Sequence, residues 1–305
     1  MAPDRGNAAA RPLSLPSVTM RCMTPPPPAR IDDVLRDART QVDPPDAEWL
    51  LAHVVGKSRS WLYAHGEDRF DGEPAERYAA LLDRRKAGEP LAYLTGRKGF
   101  WRFELQVTPD TLIPRPETEL LVELALAHLP RDRTVRIADL GTGSGAIALA
   151  LAYERPRAEI VAVDASAEAL AVARANAQAL RLPQVEFRLG DWCDGLADET
   201  FDLIASNPPY IALGDLHLEA LRYEPPSALA SGHDGLDAIR AILAGAQARL
   251  QPGGALLVEH GWDQGAAVRA LFEAAGFVDV DTARDVEQRE RVTTGHAPGG
   301  DGGLG

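Results

Sequence analysis

Cysteine is nearly absent: the 305 residues hold only Cys22 and Cys193, which is too few for a disulfide framework and lacks metal-ligand spacing. A reducing compartment, the cytoplasm, and no structural metal are expected. No apolar run approaches the roughly 18 residues of a membrane span. The most apolar stretch, AIALALAY from Ala146 to Tyr153, is far shorter, so a soluble chain without a membrane partner is expected. Basic residues are also scarce, with 32 Lys and Arg against 45 Asp and Glu, for a formal charge of −13. A nucleic acid would have to meet a local basic patch against that field, so duplex binding by bulk charge is disfavoured.

Residues 1–30 lack a sustained hydrophobic period and carry the proline run Pro25 to Pro28. They predict a disordered lead, or a start placed upstream of Met20 or Met23. A transit peptide is the rival reading, and Asp4 counts against it. Across 31–95 the apolar spacing is helical: DAEWLLAHVVG follows Asp46 as an N-cap, and EPAERYAALLDRRKAG ends at Gly88. A small helical domain is predicted there. Residues 96–110, GRKGFWRFELQVTPD, alternate apolar and polar positions, which predicts a hairpin linking two domains.

From 111 to 292 strands and helices alternate. The strand candidates are VRIADL, EIVAVD, VEFRL, FDLIASN, GALLVEH and FVDVDTARD. Helical stretches between them demand right-handed crossovers, so the fold class is α/β, a doubly wound and mostly parallel sheet beside the helical domain. Residues 293–305 are expected to form a flexible tail.

DLGTGSGAIALALA follows a strand and opens a helix, placing Gly141, Thr142, Gly143, Ser144 and Gly145 where the backbone must approach a ligand. The spacing is neither the G-x-G-x-x-G of a dinucleotide turn nor a phosphate loop. A nucleoside carrying an amino acid suits it better. Asp164, at the end of IVAVD, is placed to accept from both ribose hydroxyls, which would exclude a 2′-phosphate. In GDW, Asp191 could accept from an adenine amino group and Trp192 could cover the ring. All three features end consecutive strands, where open α/β sheets bind ligands.

The fourth such end is SNPPY. Pro208 restricts Asn207 to extended conformations, and Pro208 and Pro209 have no N–H to donate. The Asn207 side-chain carbonyl and the Pro208 carbonyl make two acceptors on a stiff frame, suited to gripping an NH2 group by its two hydrogens. Tyr210 could pack on the planar group that bears that nitrogen. The expected catalytic residues are therefore Asn207, Pro208 and Tyr210, and no general base is evident. His217, His233 and His260 are expected to be solvated or structural.

At these residues the chain resembles the class I S-adenosylmethionine-dependent methyltransferases. With EPLAYLTGRKGFW, TPDTLIPRPETELLVE, YEPPSALASGHDGLDAIRAI and LQPGGALLVEHGWDQ it is similar, more narrowly, to the peptide chain release factor N5-glutamine methyltransferases of the PrmC/HemK family. The resemblance implies methyl transfer from S-adenosylmethionine to the glutamine amide of a release factor's Gly-Gly-Gln loop. It places cofactor binding on Gly141 to Gly145, Asp164, Trp192 and Asn207, and substrate binding on Asn207, Pro208, Pro209 and Tyr210. It also gives the helical domain a part in holding the release factor. Arg115 could reach a carboxylate of cofactor or substrate, and Glu224 could line the substrate cleft. A monomer is expected. The rivals are an N6-adenine or N2-guanine nucleic-acid methyltransferase using the same corner, and a dinucleotide oxidoreductase or silent nucleotide-binding module.

Overall fold

The computed structural model describes residues 29–131 and 133–299. The expectations for a disordered lead or transit peptide, and Cys22, fall outside that range. Five helices come first: α1 (Ile31–Ala38), α2 (Pro44–Val55), α3 (Arg59–Ala64), α4 (Gly72–Lys86) and α5 (Leu91–Thr95). Helix α2 starts two residues before the expected Asp46 cap, because Pro44 and Pro45 are pre-set for a first turn and Asp43 takes the cap position. Asp46 instead accepts from Arg85 Nε at 2.6 Å. Leu50, Leu51, Leu62 and Tyr78 form the centre of this domain's own core, and the Tyr78 hydroxyl donates to the Ala47 carbonyl at 3.0 Å.

Strands β1 (Arg97–Phe100) and β2 (Phe103–Gln106) pair as the antiparallel hairpin. Asn176 fastens it to the next unit: its Oδ1 accepts from Gln106 N at 2.7 Å, while Nδ2 donates to Gln106 O at 3.0 Å and to Ser144 O at 2.9 Å.

The larger unit runs α6 (Thr118–His128), β3 (Arg136–Leu140), α7 (Ala146–Glu154), β4 (Glu159–Asp164), α8 (Ala167–Leu180) and β5 (Val185–Leu189). It continues through β6 (Phe201–Ser206), the short α9 (His217–Ala220), α10 (Asp237–Ala246), β7 (Leu250–Glu259), α11 (Gly265–Ala274), β8 (Val278–Arg284) and β9 (Glu290–His296). Among the described residues the large sheet has seven strands in the order β5-β4-β3-β6-β7-β9-β8. The first five are parallel and β9 runs antiparallel to both its neighbours. Apolar clusters cover both faces of this sheet. Helix α7 is apolar all round because Ala146 to Ala152 are all buried, which accounts for AIALALAY without a membrane.

Two expectations need correction at the C-terminal end. Strand β9 was not among the strand candidates, since ERVTTGH shows little alternation, and it pairs along β7 and β8. It extends to His296, so 293–296 belong to the sheet instead of a tail, with Thr293 fully buried. Residues 300–305 lie outside the described range.

The strand order reverses between β3 and β6, where two crevice walls diverge. Leu140 and Ser206 are register partners there, and the Ser206 hydroxyl donates to the Leu140 carbonyl at 2.7 Å. The glycine turn after β3 and the SNPPY corner after β6 therefore leave the sheet side by side.

Candidate active site

A cavity of ≈ 330 Å³ opens at this switch point, within the size range of small-molecule sites. Of the residues singled out in the sequence, Gly141, Thr142, Gly143, Ser144, Asp164, Asp191, Trp192, Asn207 and Pro209 line it. Gly145, Pro208 and Tyr210 do not. Gly145 closes the turn as the cap of α7, and Pro208 is buried beneath the corner.

The turn is held to its neighbour by backbone bonds: Gly141 N and Thr142 N both donate to the Val163 carbonyl, at 2.9 and 3.0 Å. Gly141 has φ +73°, and a Cβ there would lie 3.1 Å from the Trp192 ring, so a side chain would be both strained and crowded. Behind the turn Asp139 is wholly buried. Its Oδ2 accepts from the Thr142 hydroxyl at 2.6 Å and from Ala148 N at 3.1 Å. Burial pushes its carboxyl up to about 7, against the pull of those two bonds.

Asp164 is fixed by backbone donors. Oδ2 accepts from Gly143 N at 2.8 Å and Oδ1 from Ser166 N at 2.9 Å. Each carboxylate oxygen keeps acceptor capacity for a ligand hydroxyl. Trp192 begins a 3₁₀ turn (Trp192–Leu196) with its ring against Gly141, placing one flat wall beside the glycine loop. Cys193 behind it is buried, and its thiol is pushed up to about 11 by desolvation.

At the corner, Asn207 Nδ2 donates to Thr118 Oγ1 at 3.0 Å. The carboxamide oxygen is thereby left as the acceptor available to the cavity. Tyr210 stands next to the cavity without lining it, close to the buried Glu259, and its carbonyl accepts from Gln264 Nε2 at 3.0 Å. The chain then passes Ile211, which exchanges backbone bonds with Leu229 and Ser231 and so brings Pro225, Ser227 and Ala228 to the cavity wall.

Arg115 lines the cavity, but its guanidinium is paired with Glu224. Glu224 does not line it: 4% exposed, it accepts from Ile113 N at 3.0 Å and anchors the IPRP segment. That segment and the residues before it put Asp110, Thr111, Leu112 and Pro114 on the cavity wall, where sequence reasoning had singled out only Arg115. His260 is wholly buried, its ring engaged by the Gly261 carbonyl and the Thr293 hydroxyl.

The charged lining consists of Asp110, Asp164, Asp191 and the already paired Arg115. Such a wall suits a ligand with a net positive centre and opposes a doubly charged pyrophosphate. The acceptor at Asp164, the flat Trp192 and the glycine turn fit a nucleoside–amino acid conjugate bearing a sulfonium.

Comparison with known proteins decides the family. A release factor glutamine methyltransferase of Xylella fastidiosa (strain 9a5c) is 54% identical over 268 residues, spanning 87% of this chain and 98% of that protein. The chain belongs to the release factor glutamine methyltransferase family. The Escherichia coli (strain K12) relative of the same name is 48% identical over 252 residues, covering 82% of this chain and 91% of its own. The family model "Methyltransferase small domain" matches residues 118–278, and "PrmC N-terminal domain" matches 29–96. Solved structures agree on the fold. A Pyrococcus furiosus methyltransferase aligns with TM-score 0.50 at 18% identity, covering 72% of this chain and 98% of that one. A Thermus thermophilus 16S rRNA N2 G1207 methyltransferase, solved with AdoMet and guanosine, aligns with TM-score 0.50 at 22% identity over 66% of this chain and 49% of that one.

Proposed function

We propose that this protein transfers the methyl group of S-adenosylmethionine to the side-chain amide nitrogen of the glutamine in the Gly-Gly-Gln loop of a peptide chain release factor. The observation that carries the proposal is the Asn207 carboxamide, pinned by Thr118 so that its oxygen is the free acceptor beside an acid-lined nucleoside cavity. The names of the relatives support the same substrate.

When bound, S-adenosylmethionine supplies an electrophilic methyl group on a sulfonium. Gly141 to Ser144, Asp164, Asp191, Trp192 and Asn207 would hold it: Asp164 by the ribose hydroxyls, Trp192 by a ring face, and the glycine turn by backbone proximity. Gly145 would act by closing that turn. Asn207 Oδ1 and the Pro208 carbonyl would take the two amide hydrogens of glutamine, with Pro209 fixing the frame. A primary amide nitrogen is a poor nucleophile because its lone pair is delocalised. Acceptors that favour its twisted, more acidic form act on the transition state more than on the ground state, which raises turnover. Tyr210 stiffens the corner from behind.

No general base is required by this scheme, since the nitrogen becomes acidic as it attacks and can release its proton through the acceptors to water. The helical domain 31–95 would hold the release factor, with 96–110 as linker, 111–296 as the catalytic domain, and the cytoplasm as setting. A monomer suffices, because one chain carries every group invoked. The formal charge of −13 weighs against a nucleic-acid substrate. The test is transfer of labelled methyl to release factor or to nucleic acid: label in nucleic acid and none in release factor would overturn the proposal.

A further inference from the structure

A carboxylate at the end of a strand is ordinarily solvated, but Glu259 is not. It is 1% exposed, its Oε2 has no partner among the described residues, and it ends β7, whose Val258 is the register partner of Ser206. Glu259 therefore comes level with Asn207, one strand away. The hydroxyls of Thr118 from α6 and Tyr210 from the corner face it. Two further charges bear on it, Arg291 from β9 and Glu117 ahead of α6. Arg291 is itself committed, donating from Nε to Asp285 at 3.0 Å. The neighbouring His260 points its ring at Gly261 and Thr293 instead.

We propose that Glu259 is a positioning residue: through Thr118 it sets the direction of the hydrogen-bond chain that ends at Asn207, and so keeps the Asn207 oxygen turned to the substrate amide. The inference rests on the function proposed above. An ionised carboxylate can only accept. Thr118 must then donate its proton to Glu259, and its oxygen accepts from Asn207 Nδ2, the 3.0 Å bond observed. That leaves Oδ1 for the substrate. Once Glu259 is protonated the chain can run in reverse, with Glu259 donating to Thr118 and Thr118 donating to a flipped Asn207 oxygen. The Asn207 NH2 would then confront the substrate NH2, donor against donor, and the grip is lost.

Burial holds Glu259 up at about 7, with the two hydroxyls and Arg291 pulling it down and Glu117 pushing it up. The switch thus falls in the working range, and turnover rises with pH as Glu259 ionises.

The test uses the full chain, a release factor and labelled cofactor across about pH 6 to 8.5. Wild type should show an acid limb in kcat near neutrality. Glu259→Gln, near-isosteric but able to donate or accept at any pH, should lose that limb and fall about 10- to 100-fold in kcat. Its cofactor affinity, read by calorimetry, should stay within about twofold. Thr118→Val should match it, and Thr118→Ser should recover most of the loss. A Glu259→Gln enzyme with wild-type kcat and pH profile would overturn the proposal. So would a Thr118→Ser enzyme as poor as Thr118→Val, which decides the matter should Glu259→Gln not fold. A wild-type enzyme that methylates no release factor sinks the function itself, a different result from active enzyme with indifferent variants.

Discussion

In the proposed scheme Asn207 and Asp164 divide the work of the cavity between substrate and cofactor, and their neighbours make that division testable. Removing the Asn207 carboxamide leaves Asp164, Trp192 and the glycine turn of the cofactor wall in place. Asn207→Ala should therefore lower turnover on the order of 10²-fold or more, while S-adenosylmethionine affinity by calorimetry falls only a few-fold; undiminished turnover would contradict its role. Asp164→Ala should do the reverse, weakening cofactor binding by roughly 1.5–3 kcal/mol, about 10- to 150-fold, because charge-assisted bonds to the ligand are lost. Gly143 N and Ser166 N lose their carboxylate partners in the same substitution. An equilibrium dissociation constant within twofold of wild type would remove Asp164 from the site.

Elements whose sequence carries a local signal were legible, and those defined by distant partners were not. The glycine turn, IVAVD and SNPPY each join an apolar run to residues with a backbone constraint, so their places at strand ends could be deduced from the chain alone. The hairpin 97–106 was equally plain, with its aromatic alternation. Strand β9 was invisible because its pairing with β7 is long-range and ERVTTGH is polar for a strand that lies inside the sheet, between β7 and β8. Thr118 and Glu259 escaped, and Glu224 was expected at the cleft instead of buried beneath the wall, because burying a polar group is a tertiary fact; RPETE and VEH look like ordinary solvated stretches. Asn176 is another such case, joining the hairpin, the glycine turn and α8 by three bonds. Asn176→Ala removes the partner of the Gln106 N–H and carbonyl, which are part-buried, and of the buried Ser144 carbonyl. It should cost about 1–3 kcal/mol in denaturant unfolding, with a midpoint unchanged from wild type as the contradicting result.

For the molecule as a whole, two buried carboxyls, Asp139 and Glu259, lie on either side of the switch point and are each held up at about 7. Their ordinary values are near 4, so the folded state keeps protons that the unfolded chain releases. The stability they favour is full below about pH 4, declines as pH rises through about 7, and is level above. Asp139→Asn should flatten part of that decline in unfolding experiments across this range; an unaltered slope would remove Asp139 as a source. The helical domain meets the catalytic unit at Ala87, whose carbonyl accepts from Arg222 at 2.6 Å and from the Tyr223 hydroxyl at 3.0 Å. The next residue, Glu224, anchors the cavity wall through Ile113 and Arg115. The two units are thus linked through the same segment that shapes the cavity, as a protein that must present a large substrate to a small cavity requires. The most direct measurement is mass spectrometry of the release-factor peptide spanning Gly-Gly-Gln after incubation with enzyme and S-adenosylmethionine. One added methyl group localised to the glutamine side chain is predicted. An unmodified glutamine, with methyl transferred to another residue or to nucleic acid, would contradict the account.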